Sequence, residues 1–133
     1  MSLAVHYPMT QNLLFICSQN RLRSPTAEHV FAGRPGLATM SAGLNAGAET
    51  PVDPELLAWA DVVFVMEKVH RRKLATRFAG SLANKRVICL DIPDNYDYME
   101  AKLVSLLEAK VGRHLPGLLG PAGQTGRRPQ QQA

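Results

Sequence analysis

The stretch Leu13-Leu14-Phe15-Ile16-Cys17-Ser18-Gln19-Asn20-Arg21-Leu22-Arg23-Ser24-Pro25 decides how the chain is read. Leu13 to Ile16 are continuously apolar, with no polar alternation, as a strand covered on both faces should be, and such strands belong to parallel sheets. A polar loop follows. Ser24-Pro25 then has the form of an N-cap residue with proline at the first helical position, and Ala27, Val30 and Phe31 recur at i, i+3 and i+4. A helix is therefore expected to begin at Ser24. Strand, loop and helix in this order open a βαβ unit.

The rest of the chain repeats that alternation. Strands are predicted over 12–16, 37–40, 61–66 and 86–90, and further helices over 54–59 after Asp53, over 69–78, and from near Glu100, where Leu103, Leu107 and Val111 share a face. The expected fold class is α/β, three layers, with a four-stranded parallel sheet flanked by helices. Strands of a parallel sheet all end at one edge, and the loops leaving that edge form the usual ligand crevice. Cys17, Ser41, Glu67 and Asp91 each stand at or just after a predicted strand end, so they are expected to converge there. Residues 11–115 make one domain on this reading. The remainder, 116–133, is rich in Gly, Pro and Gln and is expected to be a disordered tail outside the fold.

Composition narrows the class. With 133 residues, 46% of them hydrophobic and 20% charged, the chain can bury one real core, which excludes a fibrous or disordered protein. No apolar run approaches the roughly 20 residues of a bilayer crossing, and the first ten residues have neither a basic leader nor a signal-length apolar segment. A cytoplasmic location with no membrane partner is the expectation. Cys17 and Cys89 cannot form a disulfide framework, and no Cys/His cluster has zinc-finger spacing, so neither a metal nor another cofactor is expected. The formal charge is +4, to which Arg127 and Arg128 of the tail contribute. Lys68, Arg71, Arg72, Lys73 and Arg77 read first as a solvated helix face and second as a basic patch favouring an anionic substrate or nucleic acid, although no interleaved aromatic run supports a nucleic-acid platform.

The chemistry gathers at Cys17. A loop running from a strand end to a helix N-terminus can turn successive backbone N–H groups inward, a cradle for a tetrahedral oxyanion. Ser18, Gln19, Asn20, Arg21, Leu22, Arg23 and Ser24 are the expected phosphate-binding residues. The same N–H groups and Arg23 favour Cys17 as thiolate, and Ser24 can donate a hydrogen bond to the sulfur. Arg23 can grip two phosphate oxygens through its planar fork, so that attack by sulfur gives a phosphocysteine. Cys89, inside Val87-Ile88-Cys89-Leu90, reads as core. A proton is needed for the departing alkoxide or phenoxide and a base for the hydrolytic water. Asp91 and Asp94 are the candidates. Asp91 is preferred because it follows the strand directly, whereas Asp94 sits deeper in a Pro-containing loop.

On these residues the chain resembles the low-molecular-weight protein tyrosine phosphatase family, which includes one class of arsenate reductases. The resemblance covers 11–115: Cys17 to Pro25 as phosphate loop and helix start, Ser41-Ala42-Gly43 after the second strand, Asp61 to Glu67 with its Phe-Val-Met-Glu ending, and an acidic loop after the last strand. It implies a flavodoxin-like fold and a phosphomonoester hydrolase acting on a phosphorylated protein or small phosphate ester. Cys17 would be the nucleophile, Arg23 the phosphate clamp, Asn20 and Ser24 loop-shaping residues, and Asp91 the general acid. The chain also departs from the pattern. Leu22 stands where the family often has a second cysteine. The Asp-Pro-aromatic pattern is divided between Asp91-Ile92-Pro93 and Asp94-Asn95-Tyr96, and the stretch between Gly43 and Asp61 is short, removing a segment expected to wall the cleft. Tyr96 and Tyr98 either line the mouth or pack on the terminal helix. Two alternatives follow: an arsenate reductase, for which Cys89 is the one further thiol, and a non-hydrolytic phosphocysteine carrier or phosphate-binding module, against which Arg23 and Asp91 argue.

Overall fold

The computed structural model describes residues 10–115, so the reading of 116–133 as a tail lies outside the described residues. Strands β1 (Gln11–Cys17), β2 (Leu37–Gly43), β3 (Val62–Val65) and β4 (Arg86–Cys89) pair in parallel in the order β2-β1-β3-β4. Helices α1 (Arg23–Phe31), α2 (Pro54–Trp59), α3 (Lys68–Arg77) and α4 (Ala101–His114) complete the three layers. The fold is the expected α/β one.

Side-chain alternation along β1 explains the layering. Leu13, Phe15 and Cys17 enter the core shared with α1 and α4, through Ala27, Phe31, Leu103, Leu107 and Val111. Leu14 and Ile16 enter the opposite core with Leu57 of α2 and Leu74 of α3. Phe15 is stacked between Phe31 and Phe64, with ring centroids 5.9 and 5.3 Å away. A buried side chain of this size contributes about 1.5–3 kcal/mol, so the central strand is held from both faces and its C-terminal end is a fixed point. Asp53 caps α2 as the sequence suggests, its carboxylate accepting from the Leu56 amide at 2.8 Å.

Three expectations are corrected. β2 runs to Gly43 rather than stopping at Met40, because it pairs residue for residue with β1 as far as Cys17 and Gly43. Ser41 therefore lies inside the strand, its hydroxyl donating to a Glu28 carboxylate oxygen, and it does not reach the crevice. The helix start also differs: α1 begins at Arg23, Leu22 holds the cap position without a side-chain cap, and Ser24 is buried in the first turn. Its hydroxyl faces Cys17 instead of a helix amide. Cys89 is half-buried on the outer strand β4, not a fully buried core residue. Among the described residues no helix is long and apolar enough to cross a membrane.

The end of β2 presses on the loop that follows β1. A Cβ at Gly43 would lie 2.6 Å from the Ser18 carbonyl oxygen and 2.9 Å from the Asn20 amide nitrogen, both backbone atoms that cannot swing aside. Gly43→Ala is expected to destabilise the protein by about 1–3 kcal/mol through overpacking. A lowered urea midpoint checks this, with Gly47→Ala as control, since a Cβ there meets nothing within 4 Å.

Candidate active site

The loop after β1 is shaped by where its carbonyls go. Those of Cys17, Ser18 and Gln19 accept from the amides of Leu44, Asn45 and Glu49 at 3.0, 2.9 and 3.2 Å. The peptide unit is planar and trans, so a carbonyl drawn outward turns the next N–H inward. The amides of Ser18, Gln19 and Asn20 thus face the concave side, and the Asn20 amide is 3.3 Å from Cys17 Sγ. Asn20 adopts φ +58°, the left-handed region that asparagine tolerates better than most residues.

Beneath the loop, Ser24 Oγ stands 2.9 Å from Cys17 Sγ and 3.0 Å from Asn20 Oδ1. Serine has one proton to give. With Cys17 as thiol, S–H donates to Ser24, which donates to Asn20; with sulfur anionic, the Ser24 proton turns to it. The network accommodates either charge state by one hydroxyl rotation.

A pocket of about 200 Å³ opens above the sulfur, lined by Cys17, Ser18, Gln19, Arg21 and Leu22 of the loop, Arg23 of α1, and Asp94. Asn20 and Ser24 underlie the loop rather than line the pocket. Arg23 is 3% exposed. Its Nη1 donates to a Glu67 carboxylate oxygen and, at 2.7 Å, to the Ile92 carbonyl, while Nε lies 3.7 Å from Asp94 Oδ1. Among the described residues Nη2 has no acceptor, so the edge formed by Nε–H and Nη2–H remains for an oxyanion.

The structure does not bring Asp91 to this pocket. Asp91 has φ +55°, and that left-handed turn breaks the alternation of β4. Ile92 goes into the core, and Asp91 points to an outer recess beside Glu67 and Lys68, where it accepts from Cys89 Sγ at 3.5 Å. Asp94, 65% exposed, is the carboxylate on the pocket. Neither tyrosine lines it: Tyr96 packs against the α1 and α4 core and Tyr98 is exposed.

Two contributors escaped the sequence reading. The 44–49 segment acts through backbone amides, which no side-chain pattern encodes. His70 leaves a faint signal, its spacing three residues after Glu67. That is the capping-box interval, but with histidine in place of Glu or Gln. The Glu67 amide donates to His70 Nδ1 at 3.0 Å, and His70 Nε2 is 3.0 Å from Ser18 Oγ. Burial, then the charge of Arg23, outweighs the opposing pull of Glu67 and lowers its pKa from 6.5 to about 4, Lys73 adding to the fall and Asp94 opposing it. Burial also pushes the Cys89 thiol upward.

At the level of sequence, no protein-family model and no curated protein matches the chain. Solved structures do match. The tyrosine phosphatase Wzb from Escherichia coli K30, in complex with phosphate, superposes with a TM-score of 0.64 at 21% identity, over 80% of this chain and 96% of that one. A low-molecular-weight protein tyrosine phosphatase from T. tengcongensis gives 0.63 at 20% identity, over 78% and 99%. The chain has the fold of the low-molecular-weight protein tyrosine phosphatases. A mutant of the YwlE arginine phosphatase with a phosphorylated active-site serine gives 0.63 at 23% identity, over 80% and 97%. Within the low-molecular-weight phosphatase fold, the pocket at Cys17 sits at the C-terminal edge of the central strand, where parallel sheets bind ligands.

The His70 pKa sets a pH dependence. A folded-state value of about 4 against 6.5 means that the unfolded chain binds the extra proton between these limits. Stability is therefore expected to fall as pH drops from 6.5 towards 4 and to lose nothing further from this group below that. Urea midpoints of the wild type and His70→Gln measured across that range check it: the substitution should flatten this part of the profile.

Proposed function

We propose that the chain is a metal-independent phosphomonoester hydrolase working through a cysteinyl-phosphate on Cys17. The observation that carries this reading is the cradle over Cys17 Sγ, inward amides with a buried guanidinium beside them and one carboxylate at the rim. It is supported by the fold neighbours, a tyrosine phosphatase held with phosphate and an arginine phosphatase whose mutant carries a phosphorylated active-site serine.

In the proposed reaction the loop amides and the Nε/Nη2 edge of Arg23 hold the phosphoryl oxygens and place phosphorus in line with sulfur. The Cys17 thiolate attacks, the S–P bond forms, and the bond from phosphorus to the leaving oxygen breaks as Asp94 gives that oxygen its proton. The Asp94 carboxylate then takes a proton from water, which attacks phosphorus as the S–P bond breaks, and inorganic phosphate departs with Cys17 again anionic. The Asn20 amide and the Ser24 hydroxyl stabilise negative charge on sulfur at both ends of the cycle. Asp94 takes the role expected of Asp91, because only Asp94 lines the pocket. The reaction needs Cys17 reduced, which fits a cytoplasmic location. Arsenate reduction is the weaker reading, since Cys89 lies outside the pocket and hydrogen-bonds Asp91.

Among the described residues no aromatic side chain borders the pocket, so recognition rests on the phosphate group. Small phosphate esters and phosphopeptides are the substrate class proposed, with little selection for a phenolic ring.

Cys17→Ser and Arg23→Ala are each expected to abolish phosphate release from p-nitrophenyl phosphate. Asp94→Ala should lower kcat by about 10²–10³-fold, more on phenyl phosphate, whose leaving group leans harder on the donated proton, and Asp91→Ala should stay near wild type. Full activity in Cys17→Ser would sink the reading. A larger loss from Asp91→Ala than from Asp94→Ala would return the proton donor to Asp91.

A further inference from the structure

His70 is 1% exposed and comes from α3, outside the phosphate loop, yet it touches the residue next to the nucleophile. Its two ring nitrogens are distinguishable without seeing a hydrogen. A backbone amide can only donate, and the Glu67 amide points at Nδ1 from 3.0 Å, so Nδ1 is the bare, accepting nitrogen. The single proton of the neutral ring must then be on Nε2, which lies 3.0 Å from Ser18 Oγ. That contact is a donation from histidine to serine. Ser18 cannot return its own proton to the same nitrogen, and among the described residues no other group accepts it. Ser18 lines the pocket above Cys17.

We propose that His70 is a positioning residue that makes the Ser18 hydroxyl an obligate hydrogen-bond donor, its proton turned into the pocket towards an oxygen of bound phosphate. The assignment rests on the phosphatase reading given above and adds a side-chain donor to the ring of loop amides. It also ties that donor to Arg23, because Glu67 serves both: its amide orients His70 and its carboxylate holds the guanidinium. A phosphate contact and the phosphate clamp are thereby registered to a single residue at the end of β3.

The test has two arms. Long-range ¹H–¹⁵N NMR of the whole protein between pH 5.5 and 8 is expected to show His70 as the Nε2–H tautomer throughout; a proton on Nδ1 would overturn the proposal. In the second arm, inorganic phosphate is titrated calorimetrically into wild type, Ser18→Ala, His70→Phe, His70→Gln and the Ser18→Ala/His70→Phe double variant. Loss of a hydrogen bond to an anion should weaken phosphate binding about tenfold in Ser18→Ala. His70→Phe should match it, the double variant should be no worse than either, and His70→Gln, whose amide N–H can reach the Nε2 position, should recover most of the loss. Additive losses, or a folded His70→Phe that binds like wild type, would overturn it. Wild type failing to bind phosphate at all would bring down the phosphatase reading with it, whereas equal binding by wild type and His70→Phe brings down only this one.

Discussion

Arg23 is a guanidinium that the fold has taken out of water, and much of the site follows from that one burial. A buried charge without partners is costly enough that the surroundings must supply them. Here they come from two other strand ends: the Glu67 carboxylate after β3 and the Ile92 carbonyl after β4. Arg23 itself opens α1, directly after the loop that leaves β1. One side chain thus fastens the crossovers from three of the four strands, and it does so at the sheet edge where the pocket opens. The two hydrogen-bond partners occupy Nη1, and the Nε/Nη2 edge that an oxyanion would use is approached only by the rim carboxylate of Asp94, 3.7 Å from Nε, among the described residues.

The loop after β1 obeys a second constraint of the same kind. Inward amides require outward carbonyls, and buried carbonyls require donors. The 44–49 segment provides them through the amides of Leu44, Asn45 and Glu49, and Gly43 lets β2 come close enough for that segment to reach. The expectation that a short stretch after Gly43 merely removes a wall of the cleft misses this: what remains is the outer support of the cradle. Asn20 closes the arrangement from within, its left-handed backbone turning an amide to sulfur while its side chain engages Ser24.

The sheet was legible because its strands are runs of apolar residues bounded by polar loops, and their order along the chain dictates which ends meet. Cys17 and Arg23 were legible because both belong to one short segment whose strand-loop-helix form has few geometries. Legibility stopped where side-chain direction depends on a single backbone torsion. Asp91 and Asp94 are three residues apart in a loop, and the left-handed turn at Asp91 sends Ile92 inward, Asp91 to the far side and Asp94 to the pocket. Ser24-Pro25 failed for a related reason. The pair has the composition of a cap, but the hydroxyl had a stronger claim on it from the sulfur and Asn20 than from the helix amides.

A histidine beside the pocket at Cys17 invites the reading of a general acid, and the hydrogen bonds here argue otherwise. Nδ1 already accepts from a backbone amide and Nε2 already faces a hydroxyl, so neither nitrogen is aimed at a leaving group. With a pKa lowered to about 4 by burial and then by Arg23, the ring holds no exchangeable second proton near neutral pH. Asp94 differs on each count: it is exposed to solvent, it borders the pocket, and the cation at 3.7 Å keeps it oriented without burying it. In the proposed reaction, proton transfer and hydrogen-bond wiring are thereby divided between two side chains, one exposed to water, the other dry and fixed. Burial and then the charge of Arg23 keep the ring neutral, while the same guanidinium meets Asp94 at the rim, 3.7 Å from Nε.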